Sequence, residues 1–245
     1  MTGRRTVRAL LALGIGLGVW NLVTLPLFSP EQLGLASRVY TVAAEAALAG
    51  ESFYQLAPEG LPGYYYIYPP AIMLAFLPFG LLGTYWAAFA LQTLVSLAAG
   101  LALAGLLVGL VRRVGVDLDR LDAALVAGFC TVSTYTAPTL VNGQVNLVLG
   151  LLVGGGLVAA ERGRPDPAGF ALGLAATVKL FPAVVGAYLL RRRHWRATAA
   201  AIGTGLGLLL VGLVEFLTGQ SLSRLTSVLD RYTAGNNDES TGRRS

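Results

Sequence analysis

The chain reads as all-α: a polytopic helical membrane protein with short or re-entrant helices and one amphipathic helix outside the bilayer. Three observations carry this reading. Hydrophobic residues fill 55% of the 245 positions and charged residues 13%, about half the share of an ordinary soluble domain, and the mean hydropathy is +0.64. The apolar residues gather into runs of roughly 20, the length that crosses a bilayer as a helix. Arginines cluster between those runs and account for most of the net charge of +5, which marks membrane topology and gives no argument for nucleic-acid binding.

Arg4, Arg5 and Arg8 precede the first apolar run, Ala9 to Phe28. The Arg4-Arg5 pair resembles a twin-arginine export signal, but no small-residue cleavage pattern follows. An uncleaved first span with a cytoplasmic N-terminus is therefore expected. From Ser29 to Tyr68 the chain is polar by comparison and too long for an idle connection. Within it Leu35, Val39, Val42, Ala43, Ala46 and Ala47 recur at helical spacing, which predicts an amphipathic helix on the membrane surface ending at Gly50. Its polar side is expected to carry Arg38, Tyr40 and Glu45, with Glu51 just beyond.

Tyr64-Tyr65-Tyr66-Ile67-Tyr68-Pro69-Pro70 closes that loop. Tyrosine rings are flat and amphipathic, suited either to an interfacial belt or to stacking on a sugar. The two prolines push Tyr68 out of the helical region and fit the first turn of a helix over Ala71 to Leu82. That helix would be about 18 Å long, too short to cross unaided. Tyr85 to Val111 is a full span ending at Arg112 and Arg113. Asp122 sits where a helix N-terminus favours a negative charge.

Two further apolar runs, Ala123 to Leu140 and Leu147 to Ala160, flank Asn142-Gly143-Gln144-Val145-Asn146. An Asn-Gly turn accounts for Asn142 but leaves two more carboxamides at membrane depth, where they need partners. Ala168 to Leu190 holds Lys179, Phe181 and Pro182 in mid-run, where a cation costs about 2.5–3.5 kcal/mol on insertion scales. A bent hairpin with Lys179 at its tip is expected, and snorkelling is the plainer alternative. Arg191 to Arg193 and Arg196 precede a last span, Ala197 to Leu217. Residues 1–232 thus form one transmembrane domain with an external loop over 29–68, and 233–245 form a polar, disordered tail. With the short helix re-entrant, every arginine-rich loop before the last span falls on the cytoplasmic side, while the 29–68 loop, the amide turn and Lys179 share the outer face.

Cys130 is the sole cysteine, so no internal disulfide is possible. His194 is the sole histidine, which argues against a histidine metal site or a Ser-His-Asp triad. No metal or other cofactor is expected.

Val39-Tyr40 with Ala43-Ala44, Gly50 and Tyr54, then Tyr68-Pro69-Pro70, Asn142-Gly143-Gln144-Val145-Asn146 and Lys179-Leu180-Phe181-Pro182, in this order and spacing, resemble glycosyltransferase family 87. These are polyprenol-phosphate-mannose-dependent mannosyltransferases of the GT-C fold. The resemblance implies a cell-membrane enzyme that moves a mannose-type hexose from a polyprenyl-phosphate carrier to a lipid or glycan acceptor hydroxyl on the extracytoplasmic face. Such transfer needs a base, a group to hold the departing phosphate and groups to orient the sugar. Lys179, with Arg38 as a second candidate, suits the phosphate; Asn142, Gln144 and Asn146 suit hydroxyls; Tyr68 suits the ring, and Tyr40 is a further substrate-binding candidate.

Two departures qualify what the resemblance implies. The family carries an aspartate four residues before the tyrosine matched by Tyr40, as the base; here that position is Ala36, and Glu45, Glu51 or Glu31 are weak substitutes. Family members also continue with further spans, so the resemblance covers roughly the first two-thirds of such an enzyme. A truncated or divergent paralogue without turnover is the corresponding expectation. The alternatives are a non-catalytic polyprenyl-lipid-binding or scaffolding subunit, with a second membrane subunit supplying the missing spans, and a small transporter. The last is disfavoured because no internal repeat is visible.

Overall fold

The computed structural model describes residues 2–218. Among them the regular structure is helical throughout, with ten α-helices, three short 3-10 turns and no strand. The chain is an all-α membrane protein. Three helices are long and apolar enough to cross a bilayer: α1 (Thr2–Phe28), α4 (Tyr85–Arg113) and α10 (Trp195–Thr218). The expected tail over 233–245 and the last part of the 1–232 domain lie outside the described residues.

Helix directions follow from close approaches. In α1, Gly14 and Gly18 lie against α5 (Arg120–Val132), where a Cβ on Gly18 would stand 1.7 Å from the carbonyl oxygen of Val132. Asn21 donates to Thr134 Oγ1 at 3.1 Å, so α1 and α5 run parallel. Gln92 of α4 bonds Gln144 just before α7 (Asn146–Glu161), and further on Leu103 meets Gly150 and Gly154 and Leu106 meets Gly155, making that pair parallel as well. Next, α8 (Pro165–Val178) returns along α7 with Leu172 on Gly156, and α10 runs beside α8 with Ala200 on Gly169. At Gly18 and Gly169 the neighbouring helix backbone itself leaves no room for a Cβ, whereas Gly14, Gly154 and Gly156 make room for a side chain of the adjoining helix.

This arrangement gives the bundle two chemically different ends. Twelve of the fourteen described cations lie at one end: Arg4, Arg5, Arg8, Arg112, Arg113, Arg120, Arg162, Arg164, Arg191, Arg192, Arg193 and Arg196. Arg8 Nε donates to Asp122 Oδ1 at 2.7 Å and Arg4 also bonds Asp122, tying the start of α1 to the start of α5. Asp119 and Asp122 form a reciprocal capping box there. The other end carries the tyrosine loop, the amide turn, Lys179 and Arg38.

The structure departs from the expected elements in three places. Ala71 to Leu82 is not a continuous helix: a 3-10 turn over Pro70–Ala75 leads into the single turn α3 (Leu77–Gly80), because Pro70 and Pro78 each remove a donor that a longer helix would need. The run from Ala123 to Leu140 is divided into α5 and α6 (Ala137–Asn142). Ser133 and Thr136 hydroxyls bond each other at 3.2 Å, and Thr134 N–H leaves its helix to donate to Gly14 O of α1 at 3.0 Å. Last, α2 (Leu35–Leu48) does not carry Tyr40 on a polar side with Glu45. Its small residues Ala43, Ala44 and Ala47 are fully buried, Gly80 of α3 approaches the backbone at Ala44 and Glu45, and Tyr40 is 4% exposed within an aromatic core of Phe53, Tyr66, Tyr68, Phe76 and Phe79.

Ala168 to Leu190 bends as expected. Helix α8 ends at Val178, Lys179 adopts extended backbone (φ −140°, ψ 139°), and a 3-10 turn over Phe181–Val184 with Pro182 leads into α9 (Val185–Arg191).

Candidate functional site

The amide turn is held in place by glycine and by backbone. Gly143 has φ +69°, the left-handed region open to glycine, and ends α6. A Cβ there would stand 2.2 Å from Ser37 Oγ, so α2 packs directly on this turn, and Gly34 N–H donates to Val141 O at 2.8 Å to fix the start of α2. From α4, Gln92 Nε2 donates to Gln144 O at 3.2 Å.

The side chains then form a polar chain. Lys179 Nζ donates to Asn146 Oδ1 at 2.6 Å, Asn146 Nδ2 donates to Gln144 Oε1 at 2.7 Å and to Thr139 Oγ1 at 3.1 Å. The break after α8 is what delivers Lys179: a helix continuing past Val178 would carry the residue around the axis, whereas one extended residue sends it across to α7.

Gln144 and Lys179 line a cavity of about 180 Å³ together with Ala36, Tyr40 and Tyr68. Tyr40 and Tyr68 hydroxyls share a hydrogen bond at 3.0 Å, and burial pushes both phenols above their ordinary range, so both remain protonated donors at neutral pH. The Tyr68 ring stacks on Phe76 with planes 13° apart and is 6% exposed. Tyr64 and Tyr65 are the exposed rings on the cavity wall.

Five of the sequence candidates therefore meet at one place: Tyr40, Tyr68, Gln144 and Lys179 on the cavity wall, with Asn146 joining the last two. The others stand apart. Asn142 donates to Pro138 O within its own helix at 2.9 Å. Arg38 lies with its guanidinium 4.7 Å from the centre of the Tyr85 ring, away from the cavity wall. Glu31, Glu45 and Glu51 are exposed and line none of it. Tyr64, Tyr65 and Gln92 complete the site; the tyrosine run signalled the first two, whereas nothing in the sequence singles out Gln92 from the α4 span. Among the described residues no three His, Cys, Asp or Glu side chains converge as metal ligands.

Two apolar hollows open beside Lys179. One of about 660 Å³ lies between α8, α9 and α10, starting at Leu180 and Pro182. Another of about 370 Å³ is walled by Phe76, Phe79, Gln92, Val145 and Val178. A polar pocket against oily grooves suits an amphiphile with a compact polar head.

Residues 66–241 match the family model of glycosyltransferase family 87. The chain is 36% identical over 139 residues to the polyprenol-phosphate-mannose-dependent alpha-(1-2)-phosphatidylinositol pentamannoside mannosyltransferase of Mycolicibacterium smegmatis, a match covering 56% of this chain and 32% of that relative. The matched stretch is thus about a third of the relative's length. No solved structure matches the chain.

Proposed function

The chain belongs to glycosyltransferase family 87, and from that premise we propose that it transfers a mannose-type hexose from a polyprenyl-phosphate carrier to a hydroxyl of a lipid or glycan acceptor at the extracytoplasmic face of the cell membrane. The observation that carries this reading is the hydrogen-bonded chain Lys179, Asn146, Gln144 on the wall of the tyrosine-lined pocket. The ammonium of Lys179 neutralises the phosphate as it leaves the anomeric carbon, and Asn146 aims it. Gln144 and the paired Tyr40 and Tyr68 hydroxyls bond sugar hydroxyls, while Tyr64 and Tyr65 offer ring faces. The prenyl tail lies in the 660 Å³ groove, which begins one residue beyond Lys179. The name of the mycobacterial relative, which specifies polyprenol-phosphate mannose, agrees with this donor.

The proposed topology is multi-pass with the N-terminus in the cytoplasm. The gathering of twelve arginines at the end opposite the pocket supports it, since arginine-rich loops are retained on the cytoplasmic side.

One observation favours a second reading, a carrier-binding subunit without turnover. Ala36 stands on the cavity wall at the position where the family resemblance implies a base, and among the described residues no carboxylate lines the cavity. A transfer assay separates the two: purified protein in nanodiscs, radiolabelled polyprenyl-phosphate mannose and a membrane-lipid extract as acceptor. New labelled product from the wild type establishes transfer; saturable carrier binding with no product establishes the binding subunit; neither overturns both.

A further inference from the structure

At the end away from the pocket, α7 and α9 stop in the same way. After Glu161, Gly163 N–H bonds Ala160 O at 3.0 Å and Arg164 N–H bonds Ala159 O at 2.9 Å; after Arg191, Arg193 N–H bonds Leu190 O at 3.0 Å and His194 N–H bonds Leu189 O at 2.9 Å. Both are Schellman turns, with Gly163 and Arg193 in the left-handed region at φ +68° and +58°. Each turn is followed at once by a new helix, α8 or α10, and those two helices are in backbone contact at Gly169 and Ala197. The turns are also tied to each other. Glu161 accepts from Tyr188 and pairs with Arg192 at 3.4 Å, and Asp166 pairs with Arg196 at 3.4 Å.

These ties use two of the six arginines in the paired turns. Arg162, Arg164, Arg191 and Arg193 remain, all exposed and without an acidic partner among the described residues. Among the described residues six arginines here face two carboxylates, Glu161 and Asp166, and two helix N-termini add positive potential. The turns also adjoin α10, which is long and apolar enough to cross a bilayer and whose first residue, Trp195, has its indole 62% exposed, as suits an interfacial anchor.

We propose that Arg162, Arg164, Arg191 and Arg193 form a docking surface for the phosphates of anionic phospholipids in the adjoining leaflet. Guanidinium groups suit this ligand because their planar fork matches two phosphate oxygens at once. The surface lies at the far end of α8 from Lys179 and does not depend on sugar transfer. It fixes the height and rotation of the α7 to α10 hairpins, whose other end forms the carrier pocket.

The test is native mass spectrometry of lipids retained by the full chain after extraction from nanodiscs of equal phosphatidylcholine and phosphatidylglycerol. The wild type should retain phosphatidylglycerol several-fold above its bulk share. R162Q/R164Q and R191Q/R193Q should each lower that excess, the lysine versions, which keep the charge but not the fork, should lower it less, and R112Q/R113Q, at the same end, should leave it unchanged. A wild type with no excess overturns the proposal, as does an equal loss in R112Q/R113Q, which would reveal only diffuse charge. Displacement by millimolar inorganic phosphate would mark a site for free anions and likewise overturn it. Thermal melts of each variant separate lost binding from lost folding.

Discussion

Lys179 Nζ meets Asn146 Oδ1 at 2.6 Å, across 33 positions of sequence and between two helices that run in opposite directions. The bond joins the one extended residue at the end of α8 to the first turn of α7. It holds the only lysine of the chain on the wall of the pocket.

Lys179→Met removes that cation while keeping the length of the stem. A charge-assisted bond to phosphate is worth about 1.5–3 kcal/mol, so binding of polyprenyl phosphate to the variant in nanodiscs should weaken roughly 10- to 100-fold. Asn146→Leu should show a smaller loss in the same titration, since the ammonium persists but is no longer aimed. Unchanged affinity in the lysine variant would remove Lys179 from the site.

The two kinds of tyrosine should separate in a paired comparison. Tyr65→Leu is expected to weaken binding of the mannose-bearing carrier more than that of the bare phosphate, because an exposed ring face is what a sugar can use. Tyr68→Phe should also weaken binding of the mannose-bearing carrier, through the lost hydroxyl, and in addition lower the melting temperature, by the equivalent of about 1 kcal/mol, because it leaves Tyr40 without its hydroxyl partner. Equal losses for both carriers with Tyr65→Leu would return that ring to the interfacial belt.

Ala36→Asp puts a carboxylate on the cavity wall. General-base assistance typically contributes about 10²- to 10⁴-fold, so the variant should form labelled product in the transfer assay far faster than wild type if the remaining machinery is intact. A silent variant that still binds carrier would locate the deficit outside position 36.

Gly143→Ala should destabilise the protein by about 1–3 kcal/mol, since the new methyl meets Ser37 Oγ in a backbone conformation that L residues disfavour. Gly163→Ala supplies the comparison in the same melting experiment. It has the same sign of φ and nothing within 4 Å of the added Cβ, so only the conformational part should remain.

Hydrogen bonds from Arg8 and Arg4 hold the Asp122 carboxyl well below the usual carboxylate range, and the bond from the Asp122 backbone lowers Asp119. A carboxyl depressed in the folded state stabilises fully above its unfolded pKa of about 4 and loses that stabilisation as pH falls toward the folded value. Thermal stability should therefore hold from pH 7 to 5 and decline below about pH 4, with a shallower decline in R4Q/R8Q. An identical slope in that variant would exclude this cluster as the cause.

Much of the molecule is legible in one dimension. Apolar run length and arginine spacing determine the class and the three long spans, because both are properties of local composition set against the thickness of a bilayer. Pro182 and the buried cost of Lys179 mark the bend after α8, and the amides of 142–146 mark a polar turn that needs partners. Tertiary structure decided which of these groups share a pocket. Asn142 and Asn146 are four residues apart in a similar setting, yet one closes its own helix and the other bridges Lys179 to Gln144. Tyr68 and Tyr65 belong to one run, yet Phe76 covers one ring and leaves the other open. Arg38 and Ala36 are neighbours on α2, yet only Ala36 faces the cavity. Sequence specifies what each residue can do, but a close approach such as Gly143 against Ser37 depends on helices distant in the chain, and that approach selects the face of α2 turned toward the site.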